Sequence, residues 1–146
     1  MNLYTIGFTQ KSAETFFESI KNNNITLLLD IRLNNSSQLA GFAKGRDLEY
    51  FLNKICKCNY EYGELYAPTK DLLDKYKGKN ISWQEYEEEY RKIMIKRGAV
   101  EEFINKYSHK DNICLLCSEA TASYCHRRVL SELLQEKTPN LKVIHL

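Results

Sequence analysis

Apolar residues along the chain fall into short continuous runs that alternate with stretches of helical spacing. Leu3-Tyr4-Thr5-Ile6 predicts a first strand, and Gly7 follows it where a sharp strand-to-helix turn takes a residue without a β-carbon. Ser12 is placed to cap a helix that carries Ala13, Phe16, Phe17 and Ile20 on one face, and Asn22-Asn23-Asn24 ends it. Ile25 to Ile31 is apolar throughout except for Asp30, which suits a central buried strand, and Arg32 lies just past its end.

Leu33 to Arg46 has no sustained apolar period and holds Asn34-Asn35-Ser36-Ser37 with two glycines, so it is expected to be a polar loop. Asp47 then caps a helix with Leu48, Phe51, Leu52 and Ile55 in one stripe. Tyr60-Glu61-Tyr62 predicts a short strand closed by Gly63, and Pro68 and Thr69 introduce a short helix that Gly78 stops. Ser82 and Glu85 spell a capping box for a helix burying Trp83, Tyr86, Tyr90, Ile93 and Met94. On its other side Glu87 with Arg91 and Glu88 with Lys92 form i,i+4 pairs, the pattern of a solvated face. Gly98 separates it from a helix with Val100, Phe103, Ile104 and Tyr107. Asn112 to Cys117 predicts a buried strand, a helix starts near Ser123 with Val129, Leu130, Leu133 and Leu134 inside, and Lys142 to His145 is a last strand. Strands alternating with helices define an α/β chain: a three-layer α/β/α sandwich with a mostly parallel, Rossmann-like central sheet, in a single domain over 1–146.

Composition narrows the function classes. With 21 Lys+Arg against 19 Asp+Glu the net charge is +2, so nothing marks the whole chain as a binder of nucleic acid or of an anionic membrane. Any positive field must be local. The N-terminus has no basic region, apolar core and small-residue cleavage site of a signal peptide, and no run approaches the roughly 20 apolar residues of a membrane span. A cytoplasmic protein without a membrane partner is expected. The 5 cysteines cannot all pair within one chain, and in a reducing compartment they are core residues, metal ligands or reactive thiols.

In an open parallel sheet ligands bind beyond the carboxyl ends of the strands, where the chain order switches. The residues found there are Gly7 and Thr9 after the first strand, Asp30 and Arg32 after the second, and Cys117, Glu119, Cys125, His126 and Arg127 after the fourth. Cys117 to Arg127 is the densest chemical segment. A helix start offers free N–H groups and a positive dipole end, which favour an anion and lower a thiol pKa, so Cys117 or Cys125 is a candidate nucleophile. Cysteine is also a common small core filler, and that is the reading for Cys56, Cys58 and Cys114. Cys114 and Cys117 have the two-residue spacing of zinc and redox motifs, but on an extended strand their side chains point to opposite faces. As metal ligands, Cys117, Glu119, Cys125 and His126 suit zinc or iron. Adjacent helical residues diverge by about 100°, so Cys125 and His126 are not expected to share one tetrahedral ion easily.

Tyr4-Thr5-Ile6-Gly7-Phe8-Thr9, Leu29-Asp30-Ile31-Arg32, Phe42 and Lys44, Glu64-Leu65-Tyr66-Ala67-Pro68-Thr69, Ser82-Trp83 and the block from Leu116-Cys117-Ser118-Glu119 to Cys125-His126-Arg127 together resemble the family catalogued as domain of unknown function 488. The resemblance spans essentially the whole chain. It implies a compact α/β/α domain and a polar site built from these segments, which adds Lys44 and Glu64 to Gly7, Thr9, Asp30, Arg32 and Arg127 as candidate ligand-binding residues. Where many members carry His after the first glycine this chain has Phe8, and its loop after Arg32 lacks the prolines and arginines often found there. A weaker similarity is to rhodanese-like and cysteine-phosphatase domains, whose thiolate also follows a central strand. Their cysteine loops return an arginine after a short glycine-containing turn, whereas here nine residues without glycine separate Cys117 from Arg127.

These observations point first to an enzyme-like site for an anionic small molecule: a nucleotide, a phosphorylated metabolite or a sulfur species. Arg32, Arg127 and the helix start would hold the anion, Cys117 or Cys125 would supply the thiol, and Glu119 or His126 would act as base or orienter, in a transferase or hydrolase. Two other readings stay open. One is a non-catalytic nucleic-acid or protein-binding module using the 33–46 loop, Lys44, Arg46 and surface tyrosines. The other is a structural metal clip at Cys117, Glu119, Cys125 and His126.

Overall fold

The structure is a computed structural model that describes residues 1–36 and 41–146. Strand β1 spans Asn2–Gly7, helix α1 Ala13–Asn22, β2 Leu27–Asp30, α2 Gly45–Phe51, β3 Asn59–Tyr62, α3 Lys70–Lys77, α4 Trp83–Lys96, α5 Ala99–Tyr107, β4 Ile113–Cys117, α6 His126–Lys137 and β5 Lys142–His145. The five strands lie in the order β3-β2-β4-β1-β5, and every pairing is parallel.

Side-chain alternation along the strands divides the interior into two cores. Tyr4, Ile6, Leu28, Cys114 and Leu116 pack against Phe16, Phe17 and Ile20 of α1 and Leu48 of α2. Leu3, Leu27, Leu29, Ile113 and Leu115 pack on the other side against α3 to α6. The sheet is therefore covered on both faces, as its nearly unbroken apolar strands require. The chain leaves β1 and β2 toward the α1–α2 layer and leaves β4 toward α6 in the opposite layer. Since β4 lies between β2 and β1, a crevice opens beyond its carboxyl end.

Local signals account for most element ends. The Ser12, Thr69 and Ser82 hydroxyls accept from Thr15 N, Leu72 N and Glu85 N, and the Ser82–Glu85 capping box is complete. Gly98 joins α4 to α5 at φ +63°.

Other expectations are corrected. Of the Leu33–Arg46 segment, residues 37–40 lie outside the described residues; past them Gly41–Ala43 forms a 3-10 turn and α2 already begins at Gly45, with Lys44 rather than Asp47 in the cap position. After Phe51 the chain widens into a π-helical turn over Leu52–Cys56, closed by Lys57 at φ 53°, and this rotates Ile55 out of the stripe to 42% exposure. The charged side of α4 is an interhelical clamp. Glu87 pairs with Arg128 at 2.7 Å, and Arg91 bridges Glu132 at 3.2 Å and Glu136 at 3.0 Å, all on α6. Finally, α6 starts at His126 rather than near Ser123, because Cys125 is extended at φ −139°, ψ 140° and occupies the N-cap position. Among the described residues no helix is long and apolar enough to cross a membrane.

Candidate functional site

The site forms where β4 ends. Its last residue, Cys117, shares the strand parity of Ile113 and Leu115 and so faces the α3–α6 layer, where His126 opens α6. Cys117 Sγ lies 3.5 Å from His126 Nδ1, and His126 Nε2 lies 2.8 Å from the Ile31 carbonyl at the end of β2. That carbonyl can only accept, so Nε2 carries a proton and Nδ1 is the nitrogen turned to the sulfur. The Tyr90 ring packs against the imidazole from α4, with centroids 5.4 Å apart. Cys117, Cys125 and His126 are all buried, and their donor atoms lie within 4.8 Å of one another.

This geometry separates the two thiols. Burial opposes ionisation of Cys117, but the hydrogen bond from Cys125, the His126 imidazole and the Arg127 guanidinium outweigh it and hold its pKa well below the ordinary value. Burial and the neighbouring Cys117 push Cys125 in the other direction. Burial alone would lower His126; Cys117 and the Ile31 carbonyl reverse that and raise it. These opposed shifts favour the anion on Cys117 and the proton on Cys125 and His126.

Two buried arginines frame the pair. Arg32 is clamped by Asp30 through Nε–Oδ1 at 2.9 Å and Nη2–Oδ2 at 2.7 Å, and its Nη2 also donates to the Ala43 carbonyl at 2.7 Å. The Tyr60 hydroxyl donates to Asp30 Oδ2 at 2.7 Å, so the carboxylate is fully engaged in holding Arg32. Phe8 lies under the guanidinium, 5.2 Å from ring centroid to Cζ. Arg127 donates from Nε to Thr5 Oγ1 at 3.2 Å and from Nη1 to the Glu119 carbonyl at 2.5 Å. Arg32 Nη1 and Arg127 Nη2 are buried with no hydrogen-bond partner among the described residues.

A cleft of about 380 Å³ opens over these groups. Cys117, Cys125, His126, Arg32, Thr9 and Glu119 supply its polar lining, and Phe8, Trp83, Tyr86 and Tyr124 its aromatic walls. Thr9 ties the β1 loop to the β4 loop, donating from N to the Ser118 carbonyl at 3.1 Å and from its hydroxyl to the same oxygen.

The residues selected from sequence thus separate into groups. Cys117, Cys125, His126, Arg32, Thr9 and Glu119 come together around the cleft. Asp30 and Arg127 lie beneath it, orienting Arg32 and the Glu119 carbonyl. Gly7 is required by close approach rather than by a turn, because a β-carbon there would stand 1.6 Å from the Glu119 oxygen. Lys44 caps α2 and Glu64 is exposed at the start of a 3-10 turn, both away from the lining.

For a metal ion the donor group is Cys117, Cys125 and His126, a set chemically suited to zinc or iron. Glu119 is not part of it, since its carbonyl is turned inward to Arg127 while its side chain is exposed. The expected divergence of Cys125 and His126 does not apply, because Cys125 is extended and only His126 is helical. Trp83, Tyr86 and Tyr124 have no signal in the sequence as wall residues; Trp83 and Tyr86 read there as core of an amphipathic helix.

A five-stranded parallel sheet with a thiol–imidazole cluster at its switch point defines an α/β protein of Rossmann-like build. The family described as domain of unknown function DUF488 matches residues 12–134, and the chain belongs to it. No curated protein and no solved structure matches the chain.

Proposed function

We propose that the protein is a thiol-dependent enzyme, a transferase or hydrolase, acting on an anionic small molecule held in the cleft. The observation that carries this reading is the Cys117–His126 pair, with Sγ 3.5 Å from Nδ1 at the carboxyl end of β4. Cys117 is the nucleophile. His126 keeps it ionised and stays oriented through Ile31, while the exposed Glu119 carboxylate on the cleft serves as base for an attacking water. Arg32, held rigid by Asp30 and with its buried Nη1 unpaired among the described residues, lines the cleft and supplies positive charge to the substrate's anion. Alkylation with iodoacetamide near neutral pH, with sites mapped by mass spectrometry, tests the proposal. Cys117 is expected to react far faster than Cys114 and to be protected by anions such as nucleotides. Equal, slow labelling of both, with no protection by any anion, would sink it.

A second reading, a bound zinc or iron ion, is supported by the three donor atoms within 4.8 Å. Elemental analysis of purified protein decides it, and absence of a stoichiometric ion removes it.

A further inference from the structure

We propose that Cys125 is a second catalytic thiol, which resolves the adduct formed on Cys117, so that the cleft reduces an anionic organic disulfide to two thiols. The proposal rests on the reading of Cys117 as nucleophile and extends it to substrate class and to a residue that a simple thiol transferase leaves unused.

Three observations carry it. The sulfurs of Cys117 and Cys125 lie within 4.8 Å, and both residues line the same cleft. A disulfide needs about 2.05 Å between sulfurs, so closure takes less than about 3 Å of movement. Cys125 is well placed for that movement. It is extended, precedes the first turn of α6, makes no side-chain cap bond, and follows a segment of bends and turns over 118–124. Its sulfur can therefore swing without unwinding the helix. The walls point to the substrate: Phe8, Trp83, Tyr86 and Tyr124 offer aromatic surface, and Arg32 adds positive charge, its buried Nη1 unpaired among the described residues. A hydroperoxide needs none of this, whereas an organic disulfide with an acidic, preferably aromatic, body uses all of it.

The chemistry balances with the groups present. The Cys117 thiolate attacks one sulfur of R–S–S–R′, the Cys117–S–S–R bond forms, and R′–S⁻ leaves with the Nδ1 proton of His126. Neutral His126, whose Nε2 stays on the Ile31 carbonyl, then takes the proton of Cys125. The Cys125 thiolate attacks the Cys117 sulfur, the intramolecular disulfide forms, and R–S⁻ departs. Two electrons pass from the protein dithiol to the substrate, and an external dithiol restores the starting state.

The test uses 5,5′-dithiobis(2-nitrobenzoate), an aromatic disulfide bearing carboxylates, on full-length protein carrying Cys56→Ser, because Cys56 is the one incompletely buried thiol outside the site. Two nitrothiobenzoate equivalents are expected per chain, with no retained label and a Cys117–Cys125 disulfide in the peptide map. Cys125→Ser or Cys125→Ala should halve the release and leave the label on Cys117. Mapping of the Cys125-containing protein is independent of whether those variants fold. One equivalent released with label retained on Cys117 overturns the resolving role and leaves the nucleophile standing. Release that does not depend on Cys117 overturns both.

Discussion

Cys114 and Cys117 stand three positions apart on β4, both removed from solvent, and differ in almost everything that governs a thiol. Cys114 faces the α1–α2 layer among Tyr4, Ile6, Leu28 and Leu116, where burial pushes its pKa well above the ordinary value. Cys117 faces the α3–α6 layer with the same loss of water, yet Cys125, His126 and Arg127 bring its pKa well down. Burial therefore does not decide a cysteine's chemistry by itself. Strand parity selects the layer, and the layer selects the neighbours that stabilise or penalise the anion. Their partners on β1 differ in the same way: Cys114 is in register with Tyr4, a packing residue, and Cys117 with Gly7, whose missing β-carbon admits the β4 loop.

The largest effect should come from that register partner. Gly7→Ala puts a β-carbon 1.6 Å from the Glu119 oxygen and 2.6 Å from Arg127 Nη1. The backbone must shift, so a loss of more than about 3 kcal/mol is expected in denaturant unfolding. A change of a few tenths would mean that the loop is not packed as described. Next comes Cys117→Ser, which should abolish rapid alkylation, a fall of about a hundredfold or more, while Cys114→Ser leaves the rate intact. If the two variants lose reactivity alike, the contrast between the thiols is wrong.

His126→Gln sharpens the cause. The reactive species is the thiolate, so the rate rises with pH through the folded pKa of Cys117 and is level above it. With that pKa held below the ordinary thiol value of 9.0, wild type should reach its plateau well before pH 9. Loss of the imidazole moves the midpoint upward, and each unit costs tenfold in thiolate at neutral pH, so a drop of about tenfold or more is expected there with recovery at high pH. An unshifted profile would assign the effect to Cys125 and Arg127 instead. The smallest effect belongs to Cys114→Ala, about 1 kcal/mol of stability from the lost sulfur and no change in labelling.

Much of this molecule was legible along the chain because the responsible forces are local. The strands of apolar run, the Ser12 and Thr69 caps and the Ser82–Glu85 box each depend on residues within a turn or two. The cluster of Cys117, Cys125 and His126 was visible as well, since its members fall within ten residues. What could not be anticipated was its geometry. A helical Cys125 would diverge from His126, and its extended cap position is what brings them together. Asp30 and Arg127 carry charges that look exposed to a substrate in a linear reading, but the fold uses them to orient Arg32 and the Glu119 carbonyl. Trp83 and Tyr86 reach the cleft from the β3–β4 crossover, far from the cysteines in sequence.

Periodicity, caps and the spacing of chemical residues thus determined the layers of this protein and the end of the sheet at which its chemistry gathers. Only the tertiary structure decided which thiol faces an imidazole, which charges are consumed beneath the site and which remain open to a ligand. Those outcomes depend on groups from β1, β2, α4 and α6 meeting in space, and the field at a buried sulfur is set by distance rather than by position along the chain.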